Sequence, residues 1–301
     1  MLKLEPSGMV VYCLETGTAA RFNRQETRKL WDIEKFPDDI NAPEVVHLEV
    51  SARCNLNCSY CYADKNGNDL PTLYWGKIIR ELTHPDLKIF QLTFGGGEPF
   101  LRDDLFHLAE YGQKRGVSRT ATTNGLLLPK CVASELALFD MIDVSYHGDA
   151  EAVEQALAHL AECGVKRGVI WIGRRSYLPE LDKVADLCSH YEAELLMLAY
   201  KTHTEPNEVI QPKELYQIAR QLSNSIRVAA DGAAVGKCLC NYRFADVDSA
   251  GNLMPCSFIR EPMGNLLEKP FYEIWRTRKR ERECPYFDLN NHHCWEGHQG
   301  E

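Results

Sequence analysis

The sequence has no apolar run near the roughly 18 residues that a membrane-crossing helix needs, so nothing in it reads as a span. It has no surplus of positive charge either. The net charge of −9 argues against a general nucleic-acid binder, which is normally basic. The opening residues, MLKLEPSGMVVYCLETG, interrupt their short apolar stretch with charge and lack a cleavage-site pattern, so no signal peptide is read there. Cysteine is not scarce: there are 12, too dilute across 301 residues for a disulfide scaffold but high for a reducing compartment. Apolar content of 45% and charged content of 26% are ordinary globular values, and a chain of this length buries a large core. We expect a cytoplasmic location.

The cysteines are unevenly spread. Cys54, Cys58 and Cys61 crowd one loop, and Cys238, Cys240, Cys256, Cys284 and Cys294 lie near the C-terminus. In a reducing compartment that distribution reads as metal sites. Cys13, Cys131, Cys163 and Cys188 stand apart and read as small buried hydrophobes.

Residues 8–23 read as a hairpin turning around Gly17, followed by a short helix over 26–33 and a proline-bearing linker over 36–43. From Val45 a strand–helix alternation repeats six times. The strands are expected at 45–50, 89–94, 118–122, 141–145, 166–172 and 194–198. The helices are expected near 73–82, 103–115, 130–138, 150–162, 178–191 and 212–223. Asp103 is a candidate cap, and Gly116 and Gly164 are candidate helix stops. Such alternation implies parallel strands joined by right-handed crossovers. Six units are too few for a closed eight-fold barrel, and an open, partial (β/α)6 barrel fits. We expect an N-terminal hairpin and linker over 1–44, the α/β core over 45–224 and a C-terminal domain over 225–301.

The chemistry-bearing stretches fall at the strand ends. In Val45–Asp64, VVHLEVSARCNLNCSYCYAD, the spacing C-x3-C-x2-C places Cys54, Cys58 and Cys61 directly after the first strand. Three thiolates there can hold three irons of a 4Fe–4S cube and leave the fourth open. Leu92–Pro99, LTFGGGEP, follows the second strand; it is not G-x-G-x-x-G, which removes a dinucleotide reading. Gly96 and Gly97 let a ligand approach the backbone, and Glu98 can accept hydrogen bonds from an ammonium group. Thr122-Thr123-Asn124-Gly125 ends the third strand and reads equally as a plain turn. Val144-Ser145-Tyr146-His147-Gly148 ends the fourth, where His147 is either a proton acceptor or a structural histidine. After the fifth, Arg174 and Arg175 are either anion contacts or a solvated pair. His203 and Glu205 are polar candidates beyond the sixth.

The tail runs Cys238-Leu239-Cys240, a hairpin at Phe244–Val247 and Leu253–Cys256 around Asp248–Asn252, then Met263–Leu266, an amphipathic helix over 272–282, and Cys284 and Cys294. Zinc is the rival reading, since Cys284, His292, His293, Cys294 and His298 offer tetrahedral ligands. The basic run Arg276–Glu283 has interleaved glutamates and reads as a solvated helix face.

Taken together, the cysteine loop with Tyr60 and Tyr62, the GGEP turn and the T-N-G resemble the radical S-adenosylmethionine (SAM) enzymes. The tail resembles the SPASM and twitch subgroup, with Val247–Gly251 and Leu253–Cys256 matching its hairpin. The resemblance implies a partial (β/α)6 barrel with a small β-hairpin-plus-helix auxiliary cluster domain. It implies a SAM-binding 4Fe–4S cluster on Cys54, Cys58 and Cys61. SAM itself would contact Tyr60, Gly96, Gly97, Glu98, Thr123, Asn124, Ser145 and Arg174. One auxiliary 4Fe–4S cluster would draw on Cys256, Cys284, Cys294 and either Cys238 or Cys240. The implied reaction is reductive cleavage of SAM to a 5′-deoxyadenosyl radical that takes a hydrogen atom from a substrate, with reduced ferredoxin or flavodoxin as electron donor. His147 and His203 are the candidate catalytic residues. In this family the substrates include peptide or protein side chains and small molecules, and we expect a peptide. From another class, a non-catalytic iron–sulfur or zinc electron carrier leaves Gly96, Gly97 and Glu98 without a purpose.

Overall fold

The computed structural model describes residues 1–64, 67–202, 204–232 and 240–279. His203, Cys238, Cys284 and Cys294 lie outside the described residues, as do the rival zinc ligands His292, His293 and His298. In chain order the elements are β1 (Leu2–Glu5), β2 (Gly8–Cys13), β3 (Thr18–Asn23), α1 (Arg24–Trp31), β4 (Val45–Ser51), α2 (Thr72–Leu82), β5 (Gln91–Gly96), α3 (Leu105–Lys114), β6 (Ser118–Thr123), α4 (Ala133–Leu136), β7 (Met141–Ser145), α5 (Ala150–Glu162), β8 (Arg167–Ile172), α6 (Leu181–His190), β9 (Glu194–Leu198), α7 (Pro212–Leu222), β10 (Val228–Ala230), β11 (Phe244–Val247), β12 (Asn252–Met254), β13 (Gly264–Asn265) and α8 (Phe271–Arg276).

Strands β4 to β9 lie side by side in sequence order, all parallel. Right-handed crossovers between sequential neighbours put the intervening helices on one face of a sheet. The alternation along β4 shows the consequence. Val46, Leu48 and Val50 are fully buried in the helix-side core with Trp75, Ile78 and Ile79 of α2. Each such aliphatic side chain contributes about 1.5–3 kcal/mol by leaving water. His47, Glu49 and Ser51 point to the opposite, inner face. Gly116 and Gly164 end α3 and α5 with φ of +72° and +69°, the left-handed values glycine accepts without penalty.

Among the described residues the sheet does not close. It has ten strands in the order β10-β9-β8-β7-β6-β5-β4-β11-β12-β13. The C-terminal hairpin therefore extends the core: β11 runs parallel to β4, pairing Phe244 with Val45 and Val247 with Leu48. At the other edge, β10 adds in parallel to β9.

Three local expectations need correction. Asp103 does not cap α3; Asp104 stands at the cap position, and its carboxylate is engaged by Arg102 and Thr72 rather than by the helix's own amides. The expected helix over 130–138 is only α4, because Cys131 and Val132 take extended backbone angles. The N-terminal hairpin is a three-stranded antiparallel sheet, since β1 pairs with β2. The proline-bearing linker is ordered against the core: Ile40 and Ala42 are buried, and the Trp275 indole donates to the Ile40 carbonyl at 3.1 Å.

Trp275 is the keystone of that contact. It stacks on Phe271 at 5.5 Å, and the Arg278 guanidinium lies 4.0 Å above its ring. Trp275→Ala is expected to lower unfolding stability by about 3–5 kcal/mol, read from urea melts of the purified protein. A loss below about 1 kcal/mol would show that α8 and the linker are not docked as described.

Candidate active site

The cysteine loop leaves the end of β4, and its entry is pinned by Asp69. One carboxylate oxygen accepts from the Ala52 amide at 2.7 Å, and the other from the Ser51 hydroxyl at 3.2 Å and Arg53 Nε at 2.9 Å. Beyond it, Cys54, Cys58 and Cys61 carry thiols rather than disulfides, and all three retain some exposure. The Leu56 amide donates to Cys54 Sγ at 3.4 Å.

The glycine turn is locked to this loop by its backbone. The Gly97 amide donates to the Ser51 carbonyl and the Glu98 amide to the Arg53 carbonyl, each at 2.7 Å. A Cβ on Gly97 would lie 2.1 Å from the Arg53 oxygen, and Gly96 has φ of +108°. Both positions therefore require glycine. Glu98 is fully buried and accepts from the Phe100 amide at 3.1 Å, the Thr123 hydroxyl at 2.8 Å and the Asn124 amide at 2.8 Å. Burial raises its pKa against the pull of those three donors. A carboxylate has about four acceptor positions, so one remains for a ligand. Asn124 also reaches the cysteine loop, its amide donating to Asn55 Oδ1 at 2.7 Å. The ends of β4, β5 and β6 are thus one hydrogen-bonded unit.

The ends of β7, β8 and β9 close over Tyr60. Its hydroxyl lies 2.8 Å from His147 Nδ1 and 3.1 Å from the Tyr177 hydroxyl. Burial lowers the His147 pKa and raises that of Tyr60, so the imidazole is neutral and the phenol keeps its proton. The donor in the Tyr60–His147 bond follows the imidazole tautomer, and the Tyr60–Tyr177 bond orients to match it. His147 Nδ1 is also 3.8 Å from Cys58 Sγ. The Arg174 guanidinium stands 5.1 Å from the Tyr60 ring, 5.3 Å from Tyr177 and 5.1 Å from Tyr200, cation–π distances to all three. Its ion pairs to Glu205 and Glu208 are long, 3.5 Å each. Ser145, half-buried, ends β7 on the inner face.

Further down the inner face lies a buried charge network that the motifs did not reveal. His47 Nδ1 is 3.1 Å from Asp246 Oδ2, and Arg260 grips both oxygens of Glu49. Burial, followed by the nearby Asp246, pushes Glu49 up to about 7. Burial alone would lower His47, but Asp246 reverses the sign and holds the imidazolium. The ligand atoms of His47, Glu49 and Asp246 lie within 4.8 Å of one another. Because Arg260 occupies both Glu49 oxygens, the charge is balanced by a guanidinium and an imidazolium. The alternation in VVHLEVS already set His47 and Glu49 on one face; their partners are about 200 residues away in sequence.

The donor set fits a cluster held by three protein thiolates, and the glycine backbone beside it leaves room that any Cβ would fill. Of the candidate auxiliary ligands, Cys240 and Cys256 are described. Cys256 is buried in a tight turn where the Ile259 amide donates to its Sγ at 3.3 Å.

Residues 48–167 match the family model of the radical SAM superfamily, and residues 238–296 match that of an iron–sulfur cluster-binding domain, SPASM. The chain is 33% identical over 184 residues to the mycofactocin maturase MftC of Mycobacterium tuberculosis, covering 54% of this chain and 46% of that protein. The match thus spans less than half of that relative's length. It is 27% identical over 292 residues to the AdoMet-dependent heme synthase of Methanosarcina barkeri, covering 79% of this chain and 83% of the relative. Among solved structures, Streptococcus suis SuiB bound to the precursor peptide SuiA superposes with a TM-score of 0.75 over 91% of this chain and 86% of that one, at 14% identity. The chain carries a radical SAM domain and a SPASM iron–sulfur cluster-binding domain.

Proposed function

We propose that this chain is a radical SAM enzyme that oxidises or cross-links a side chain of a peptide or protein, with a core over 45–224 and an auxiliary cluster domain over 225–301. The observation that carries the reading is the joining of the three-thiol loop to the glycine turn through the Gly97 and Glu98 amides. When bound, the cluster and SAM supply one-electron cleavage and a 5′-deoxyadenosyl radical that takes a substrate hydrogen atom.

The chain's own residues position and shield. Cys54, Cys58 and Cys61 hold the SAM-binding cluster, and the Gly96–Gly97 backbone takes the amino acid end of SAM close against it. Glu98 offers its remaining acceptor position to the ammonium group. Thr123, Asn124 and Ser145 face the ribose. Arg174, with only long ion pairs, is set to exchange Glu205 and Glu208 for the SAM carboxylate, and Tyr60 covers the cluster edge. His147, within reach of Tyr60 and Cys58, is the candidate proton acceptor. Cys256, Cys284, Cys294 and one of Cys238 and Cys240 hold the auxiliary cluster, and reduced ferredoxin or flavodoxin supplies the electron.

The peptide reading draws support from MftC, a maturase, and from the SuiB fold, solved with a precursor peptide. A second reading, a small-molecule substrate, is favoured by the heme synthase, whose alignment covers most of both chains. Incubation with a small peptide encoded beside the gene, followed by mass spectrometry, separates the two. A SAM-dependent mass change of that peptide supports the first reading. An unchanged peptide, with an iron porphyrin converted instead, supports the second.

Reconstituted, reduced protein should release 5′-deoxyadenosine from SAM, measured by anaerobic liquid chromatography. Cys58→Ala should reduce that product at least about 100-fold, about 2.7 kcal/mol or more in barrier terms, while absorbance of the tail cluster persists. Retained SAM cleavage in Cys58→Ala would sink the assignment of the site. Gly97→Ala should lose both SAM binding, by equilibrium dialysis, and thermal stability, because its Cβ meets the Arg53 carbonyl. Wild-type SAM affinity in that variant would contradict the close approach.

A further inference from the structure

Four carboxyl groups stand out along the inner face and the strand ends above it, and three of them are matched. Glu49 is gripped by Arg260, Asp246 by His47, and Glu98 by three donors. The fourth is Asp143, midway along β7. It makes no hydrogen bond or ion pair among the described residues. Ile142 and Val144, on either side, are buried against the helices, so Asp143 points to the inner face.

The surroundings of Asp143 are built to leave it unmatched. Its register partners are Thr122 on β6 and Gly168 on β8. A Cβ on Gly168 would lie 2.2 Å from Asp143 Oδ1 and 2.7 Å from the Met141 methyl, so only glycine leaves the carboxylate its place. Met141 and Ser145 flank it on its own strand, and Ile170 lies further along β8. Among the described residues the charged group acting on it is Glu194 at the start of β9, an acid paired with Arg227 at 3.1 Å. Burial, then that acid, push Asp143 up to about 7. Asp143 is half-buried, and a carboxylate facing the inner side of the sheet with no cation beside it among the described residues favours a cation there.

We propose that Asp143 is the anchor for a cationic nitrogen of the substrate, a basic side chain or an amine, which on binding supplies the counter-charge that no described residue provides. The inference rests on the radical SAM reading for the idea that substrate lies along the inner face. It makes Asp143 a specificity residue: peptides offering lysine or arginine near the reacting carbon are selected over neutral ones.

The test uses the full chain with clusters reconstituted, kept anaerobic. The protonated carboxyl stretch of Asp143 is isolated as the infrared difference between wild type and Asp143→Asn and followed against pH. Asp143→Ser serves as a second reference should the first fold poorly. The probes are n-butylammonium and n-butanol at equal ionic strength. The midpoint is expected near 7 without probe. Butylammonium should lower it by about one unit or more, since a nearby opposite charge lowers a carboxyl pKa by about 1–3 units. Butanol should not lower it. A midpoint in the ordinary range near 4, no response to butylammonium, or an equal response to butanol would each overturn the proposal. None of these readings requires SAM cleavage, so a failed anchor leaves the radical assignment standing. A protein that never cleaves SAM still reports on Asp143.

Discussion

Strand β4 is the constraint on which the rest depends. It is paired on both edges, with β5 on one side and β11 on the other, and its helix-side residues are fully buried. A strand enclosed in this way cannot slip by one residue without moving Val46, Leu48 and Val50 to the inner face and His47 and Glu49 into hydrocarbon. The register of β4 therefore fixes where the cysteine loop starts. Asp69, which accepts from the Ala52 amide and from Ser51 and Arg53, fixes the direction in which it leaves. The glycine turn then has one place to dock, because its amides must meet carbonyls at Ser51 and Arg53.

The same strand joins the two ends of the chain. Asp246 sits opposite His47 in the parallel β11–β4 pair, and Arg260 reaches Glu49 one layer higher. Removing either partner would leave a buried ion uncompensated, which costs far more than the pair contributes when intact. The C-terminal hairpin is thereby held by charge as well as by its ladder. The inner face of β4 is a matched surface, in contrast to that of β7.

The six βα units were legible because each strand is a short apolar run bounded by helical periodicity, and because Gly116 and Gly164 stop helices with a left-handed backbone that glycine adopts without penalty. The site was legible where residues lie close in sequence, as in Cys54–Cys61 and Gly95–Glu98. What escaped was long-range. Nothing local in Phe244–Val247 says that it pairs with Val45–Leu48 rather than only with its own hairpin. Asp103 looked like the better cap because capping is judged from position, whereas Asp104 holds the cap position with its carboxylate taken by Arg102, whose guanidinium also donates to the Val50 and Leu70 carbonyls. Asp143 was hidden for a similar reason: a single acid in a strand says nothing until the neighbouring strand places Gly168 beside it.

The route between the two cysteine-bearing turns follows from the same geometry. Tyr62 directly follows Cys61, and Phe258 lies two residues beyond Cys256; their rings are 5.0 Å apart. Burial raises the pKa of Tyr62 well above its usual value, so it stays a neutral phenol beside the His47–Asp246 pair. Lys201, at the end of β9, lies 4.5 Å from the other aromatic, Phe258. The Cys256 turn and the cysteine loop therefore meet through these two rings. The C-terminal domain is accordingly part of the wall that shapes the site.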